Sequence, residues 1–264
     1  MKPILEVKNL TMDFGGIRAL NHMDLDIKNG EIAALIGPNG AGKTTFFNCI
    51  TGIYTPTAGD MIVNPTETRT VRINGMKPHR ITRTGLARTF QNIRLFKDMT
   101  ALENIMIGRH CRTHSGILGA FFQNKASRHE EHQIIHDSYH LLKKIDLQDK
   151  MDVLAKNLAY GDQRRLEIVR ALAAEPKLLL LDEPAAGMNP QETKDLTDLI
   201  LRIRDEYQIA ILLIEHDMKL VMSLSERIFV MDYGRKIAEG TPEEIRANKE
   251  VIKAYLGEDD QHDA

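Results

Sequence analysis

One stretch limits what this chain can fold into more than any other: Gly37-Pro38-Asn39-Gly40-Ala41-Gly42-Lys43-Thr44-Thr45. The apolar run Ile32-Ala33-Ala34-Leu35-Ile36 precedes it, and Thr44 to Ile50 reads as a helix. Strand, glycine loop and helix in that order, with the spacing G-x-x-x-x-G-K-[ST], make a P-loop. Gly37, Gly40 and Gly42 let the backbone curl until successive N–H groups converge on one point. The helix that follows aims its positive end at the same point, which suits a polyphosphate. Lys43 is then placed for the β- and γ-phosphates and the Thr44 hydroxyl for Mg²⁺. Pro38, Asn39, Ala41 and Thr45 complete the expected cradle.

The rest of the chain has to cover that strand on both faces. At 264 residues it is long enough for one large domain, or a domain with a subdomain. A formal net charge of −2 gives no global basic field, so nucleic acid is not an expected partner. The sequence shows neither a signal peptide nor an apolar run of bilayer-spanning length. Work at a membrane would therefore need something else to hold the chain there. Cys49 and Cys111 are too few and too far apart for a disulfide framework, which points to a reducing cytoplasm. Cys49, in the helix after the P-loop, reads as a small core residue.

Ile4, Val7 and Leu10 lead to the turn Asp13-Phe14-Gly15-Gly16. Met23, Leu25 and Ile27 then alternate with Asp24, Asp26 and Lys28, as half-buried antiparallel strands do. Leu178 to Leu181 and Ile209 to Ile214 are continuous apolar runs like the P-loop strand, separated by helical segments. The expected fold is therefore α/β, a mixed sheet core of the P-loop NTPase class with antiparallel N-terminal strands at its edge.

Between about residue 92 and residue 160 the strands disappear, which predicts an inserted helical subdomain in a core formed by 1–91 and 161–264. Gly116-Ile117-Leu118-Gly119-Ala120-Phe121-Phe122 is an apolar knot with two readings, packing inside the subdomain or contact with a membrane partner. Ser127-Arg128-His129-Glu130 reads as a capping box that starts a helix ending near Ile145. His129, His132, His136 and His140 recur at helical spacing. They fall opposite the stripe Ile134, Ile135, Leu141, Leu142 and Ile145, so they read as a wet face rather than a metal site. Thr241-Pro242-Glu243-Glu244 predicts a late helix start, and Glu258-Asp259-Asp260 a frayed acidic tail.

A P-loop alone leaves kinases, GTPases and ATPases open. Asp182 and Glu183 narrow the choice, because they follow Leu178 to Leu181 at the C-terminal end of a buried strand, where open α/β sheets bind ligands. Asp182 suits Mg²⁺, directly or through water. Glu183 suits orienting an attacking water or accepting its proton. The bland reading of two adjacent acids is a solvated turn; a P-loop in the same chain weighs against it.

Together these elements resemble the ATP-binding subunits of ABC transporters over nearly the whole chain. Phe14 matches the aromatic that stacks on adenine, although alone it could be a core aromatic. Gln91, in Thr89-Phe90-Gln91-Asn92, matches the Q-loop glutamine; the resemblance implies contact with Mg²⁺ or the lytic water and relay of nucleotide state to a membrane partner. Leu158-Ala159-Tyr160-Gly161-Asp162-Gln163 stands where the signature belongs, followed by Arg165, Ile168 and Arg170-Ala171-Leu172. Leu180 to Pro184 matches Walker B, and Ala186-Gly187-Met188-Asn189 the D-loop. His216 matches the switch histidine, implied to donate to the γ-phosphate, a role neutral imidazole suits. A lone His after an apolar strand would otherwise read as a core residue.

Two departures from the family pattern matter. The usual signature, L-S-G-G-Q, is presented across a dimer interface to ATP held by the other subunit. Here Ala159 lacks the serine hydroxyl, and Tyr160 should crowd the backbone approach where glycine is usual. Asn189 replaces the usual D-loop aspartate, yet Asn189-Pro190-Gln191-Glu192 also reads as a helix start, with Asn189 as N-cap. The Leu-Ala-Tyr-Gly signature, the insert after Gln91, Glu215 to Met222 and Ala254-Tyr255-Leu256-Gly257-Glu258 narrow the likeness to the paired ATPases of branched-chain amino acid importers. That likeness implies an ATPase peripheral on the cytoplasmic face of the membrane. It would power permease subunits that alternate access, supplied indirectly by a periplasmic or extracellular solute-binding protein. The missing serine predicts a heterodimer with a second ATPase subunit. The alternatives are a lipopolysaccharide-export ATPase with a similar ending and a soluble ABC ATPase outside transport.

Overall fold

The computed structural model describes residues 2–112 and 125–259. β3 (Ile32–Ile36) is buried at every residue because both of its faces are covered. It lies between two parallel neighbours, β8 (Ala210–Ile214) and β9 (Arg227–Asp232), with Ile32 opposite Ile211 and Ala33 opposite Arg227. With β10 (Arg235–Gly240), β7 (Leu178–Asp182) and β6 (Leu86–Arg88) they make a six-stranded sheet in the order β10-β9-β3-β8-β7-β6. Only the β9–β10 pair in this sheet is antiparallel.

Side chains of successive strand residues point to opposite faces, so an all-apolar strand feeds two cores. Ile32, Ala34 and Ile36 join Leu179, Leu181, Ile211 and Leu213 in one cluster. Ala33 and Leu35 join Leu178, Leu180, Ala210 and Leu212 in the other. The second cluster also takes in Phe46, Phe47 and Cys49 of α1 (Lys43–Ile50) and the inner residues of a second sheet. Burial there pushes the Cys49 thiol up to about 12, as expected of a core cysteine.

That second sheet, ordered β2-β1-β4-β5, contains β1 (Leu5–Phe14), β2 (Ile17–Ile27), β4 (Ala58–Thr66) and β5 (Arg69–Arg72). The antiparallel N-terminal strands are present, but as a sheet packed on a face of the parallel one. An edge position was expected; the alternating apolar face of β1 and β2 is instead buried against the core. α2 (Pro78–Arg83) leads from this sheet to β6.

Between β6 and β7 the described residues hold helices and no sheet strand: α3 (Ala101–Arg109), α4 (Lys125–Lys144) and α5 (Tyr160–Leu172). Leu141, Leu142 and Ile145 bury against this group, but Ile135 is 37% exposed and belongs with the outer face of α4. Its stripe is thus narrower than the sequence suggests. The knot Ile117 to Phe122 and the side chains of Ser127 and Arg128 lie outside the described residues; α4 already runs from Lys125, so Ser127 stands inside the helix rather than at its start. α6 (Pro190–Tyr207) starts at Asn189, whose Oδ1 accepts from Gln191 and Glu192 N–H, both at 3.0 Å. α7 (Met218–Leu224), α8 (Pro242–Ala247) and α9 (Lys249–Asp259) complete the chain, and α8 starts at a Thr241–Glu244 capping box. α9 carries Glu258 and Asp259 as helix rather than frayed tail; Asp260 lies outside the described residues. No described helix is long and apolar enough to cross a membrane.

Candidate active site

The P-loop leaves β3 at Gly37, whose φ is +151° and whose Cβ, if it had one, would lie 2.0 Å from the Met231 carbonyl oxygen of β9. At Gly42, with φ +105°, an added Cβ would meet the Ala19 carbonyl oxygen of β2 at 2.7 Å. Backbone sterics thus require glycine at both ends of the loop. Between them Asn39 and Gly40 are exposed, as is Thr44 in the first turn of α1. Pro38 and Ala41 are buried, with Ala41 N–H donating to the Pro38 carbonyl at 3.2 Å, and Thr45 is half-buried. Lys43 folds back over the loop, and its Nζ donates to the carbonyls of Gly37 (2.6 Å) and Pro38 (2.8 Å). Reaching a phosphate means exchanging those carbonyls for phosphate oxygens.

Asp182 ends β7 with 4% of its surface exposed. Arg88, at the end of the neighbouring β6, donates from Nη2 to Asp182 Oδ2 at 2.7 Å. Its Nη1 donates to Asn48 Oδ1 on α1 at 2.7 Å, and its guanidinium lies over the Phe90 ring, 4.8 Å from the centroid. One cation therefore ties the Asp182 carboxylate to α1 and to the residue before Gln91. Sequence reasoning had no signal for it, since Arg88 is an isolated charge in no motif.

Glu183 leaves the strand in left-handed conformation, φ +47°. Its N–H stays bonded to the Ile214 carbonyl of β8 at 2.9 Å. Its two carboxylate oxygens gather the other predicted catalytic side chains: Gln91 Nε2 donates to Oε2 at 2.8 Å, and His216 Nε2 lies 2.8 Å from Oε1. An ionised carboxylate can only accept, so the imidazole is the donor. Glu215 braces this group from below. It is 5% exposed; Oε1 accepts from Ala185 N–H at 2.8 Å and Oε2 from His216 N–H at 3.0 Å. Burial raises its pKa above the usual carboxylate value, and the backbone donors partly offset that. Glu215 sits beside a recognisable His216, but no motif assigns it this bracing role.

In the signature turn Tyr160 finds partners within its own chain, whereas Ala159 adds none. Ala159 is the N-cap of α5 and provides no side-chain cap. Leu158 is buried, and its carbonyl accepts from Gln163 Nε2 at 2.8 Å. Tyr160 turns back on its own chain, donating from its hydroxyl to the Ala186 carbonyl at 2.9 Å. Its ring lies against Gly187, and Gly161 leaves room for Glu192, whose Oε1 would stand 3.0 Å from an added Cβ. Asp162 is 6% exposed and faces inward, bonded to Lys150 Nζ (2.6 Å) and Arg165 Nη2 (2.5 Å). Burial alone would raise its pKa; those two cations outweigh it and hold the carboxyl below the usual range.

Phe14 is 41% exposed and stands edge-on to Tyr54 with centroids 5.2 Å apart, so it is not a core aromatic. Among the described residues no group of three or more His, Cys, Asp or Glu side chains could hold a metal ion, the α4 histidines included. Mg²⁺ needs less: it takes one or two carboxylates together with substrate phosphates, which fits Asp182 with the Thr44 hydroxyl and the Gln91 amide.

A family model described as ABC transporter matches residues 20–186, and one described as branched-chain amino acid ATP-binding cassette transporter matches residues 235–261. The high-affinity branched-chain amino acid transport ATP-binding protein BraF of Pseudomonas aeruginosa is 49% identical over 97% of this chain and 99% of its own. LivG of Escherichia coli, of the same description, is 46% identical with the same coverage. The lipopolysaccharide export system ATP-binding protein LptB of Escherichia coli is 32% identical over 97% of this chain and 98% of its own. Among solved structures, the ADP conformation of the ATP-binding cassette MJ1267 superposes with a TM-score of 0.81 at 29% identity, covering 97% of this chain and 100% of that one. The chain belongs to the ATP-binding subunits of ABC transporters and is a transport-coupled ATPase.

Proposed function

We propose that this ATPase powers an importer of branched-chain or other hydrophobic amino acids. The observation that carries the chemistry is the convergence of Gln91 and His216 on the Glu183 carboxylate. ATP would lie on the P-loop with adenine against Phe14 and its β- and γ-phosphates at Lys43. Mg²⁺ held by Thr44, Asp182 and Gln91 would offset phosphate charge. Both Glu183 oxygens carry a donor, and each keeps a second lone pair that can take an attacking water. Gln91 would keep its Nε2 on Glu183 while its Oε1 meets Mg²⁺, and His216 would turn to the γ-phosphate. Water bonded to Glu183 is oriented for in-line attack and gives up its proton there.

The second half of the site would come from another ATPase subunit, whose signature closes over this P-loop. In return this chain's Leu158, Ala159, Tyr160, Gly161 and Asp162 turn would face the partner's ATP. Without the serine hydroxyl, that contact loses a hydrogen bond to a charged group, roughly 1.5–3 kcal/mol. A partner with an intact signature would restore it at one site only, which favours a heterodimer with unequal sites. Closure would be passed through the 92–160 helices to permease subunits, with the assembly on the cytoplasmic face of the membrane and a solute-binding protein outside. The sequence likeness to BraF and LivG favours this solute class over lipopolysaccharide export.

The test is to purify the assembled complex, count its distinct ATPase chains, and compare Glu183→Gln here with the matching change in the partner. The expected result is two different ATPase chains, retained ATP binding, and turnover lowered at least about a hundredfold by Glu183→Gln, more than by the partner's change. Unchanged turnover in Glu183→Gln removes the carboxylate from the mechanism. Two copies of this chain, or equal losses, removes the unequal heterodimer.

A further inference from the structure

We infer that Tyr160 and Arg164 form a latch within one subunit that positions Glu183 from the start of the signature helix. Arg164 is fully buried on the first turns of α5. Its Nη1 donates to the Phe90 carbonyl and its Nη2 to the Gln91 carbonyl, both at 2.8 Å. Nη2 also donates to the Tyr160 hydroxyl at 3.1 Å, and that hydroxyl donates onward to the Ala186 carbonyl at 2.9 Å. Glu167, fully buried beneath, accepts from Arg164 Nη1 at 3.2 Å and from Arg94 N–H at 2.9 Å, which fixes both the cation and the far side of the Q-loop.

The two ends of this relay straddle the catalytic carboxylate. On one side is the backbone of Gln91, whose side chain bonds Glu183 Oε2. On the other is Ala186, whose N–H donates to the Glu183 carbonyl at 3.2 Å. A tilt of α5 therefore reaches Glu183 from both directions without crossing to a second subunit. The phenol is suited to this task because it accepts and donates at once. Glycine, usual at this place, could do neither. The buried guanidinium supplies the rigid fork that holds two carbonyls together. Tyr160 is thus a positioning residue for hydrolysis, whatever its backbone does toward a partner's nucleotide.

This inference rests on the role proposed for Glu183, and the experiment separates the two. Tyr160→Phe keeps the ring against Gly187 and deletes only the hydroxyl. It is made in the full chain, within the assembled ATPase complex, alone and together with Glu183→Gln. The expected result is kcat lowered about tenfold with KM for ATP unchanged, the pattern of a lost transition-state alignment. Faster hydrogen exchange in the segment 184–189 should accompany it. The double variant should be no slower than Glu183→Gln alone, because both changes act through one carboxylate. Wild-type kcat, or a raised KM with kcat unchanged, overturns the latch and in the second case makes Tyr160 a nucleotide contact. Additive losses in the double variant overturn it as well. If Glu183→Gln itself is as active as wild type, the proposed chemistry fails first; the exchange measurement still reports whether Tyr160 holds Ala186.

Discussion

Arg88 Nη2 lies 2.7 Å from Asp182 Oδ2, and both side chains are 6% exposed. A buried pair of this kind adds little net stability over an apolar substitute, but removing one partner strands the other charge. Arg88→Ala is therefore expected to destabilise the fold by about 3–5 kcal/mol, read from urea denaturation. Arg88→Met with Asp182 intact should do the same, whereas Arg88→Met with Asp182→Asn should recover part of the loss. Equal midpoints for wild type and Arg88→Ala would show that the pair is not felt.

Lys43 and Phe14 should fail differently. Lys43→Ala removes the ammonium that now bonds the Gly37 and Pro38 carbonyls, and nucleotide binding or hydrolysis should largely be lost. Phe14→Ala removes an exposed ring, so affinity should fall for ATP and GTP alike while turnover at saturation persists. Isothermal titration with both nucleotides checks this. Unchanged affinities in Phe14→Ala would leave the ring as a partner of Tyr54 alone.

Glu215→Ala leaves the N–H groups of Ala185 and His216 without their buried acceptor. Each orphaned donor costs about 1–3 kcal/mol, and the segment after Glu183 should loosen with His216. Lower stability and a kcat reduced roughly tenfold or more are expected together. Glu215→Gln keeps one acceptor oxygen and should fall between. Steady-state kinetics beside thermal melts would reveal any separation of the two effects.

Asp162 provides a test by pH. Its folded-state pKa is depressed, so its ion pairs with Lys150 and Arg165 stabilise the fold above the ordinary aspartate value near about 4. That contribution disappears as pH falls through the lower folded value. Asp162→Asn should cost about 1 kcal/mol or less at pH 7, since both cations are partly exposed. The gap between the two proteins' urea midpoints should close below about pH 4. A gap that stays constant with pH would point to lost packing instead.

Motifs with fixed local geometry could be read from the residues alone. The P-loop, the Asn189 and Thr241 caps and the three all-apolar strands depend on neighbours in sequence, and each stands where its pattern put it. β6 went unseen because its three residues are too few to show a pattern, and both it and β9 take their places through pairing with distant strands. The convergence of Gln91, Glu183 and His216 could be expected only from resemblance, since more than ninety positions separate the first two. Arg88, Arg164 and Glu215 were invisible for a related reason. Each is a charge that also bonds residues on distant elements, and nothing near it in sequence betrays those distant bonds. Tyr160 makes bonds that no pattern announces: its hydroxyl meets the Ala186 carbonyl and the Arg164 guanidinium while the residue stays 45% exposed.

The left-handed backbone at Glu183 sets the fold and its chemistry at odds. A side chain other than glycine at φ +47° is strained by about 1 kcal/mol or more. Glu183→Gly should therefore give a protein that withstands heat as well as the natural one, or better, while hydrolysing almost nothing. Screening this chain for thermal robustness alone would reward losing the carboxylate proposed to activate water, and only a selection that also demands growth on the transported solute would keep position 183 acidic.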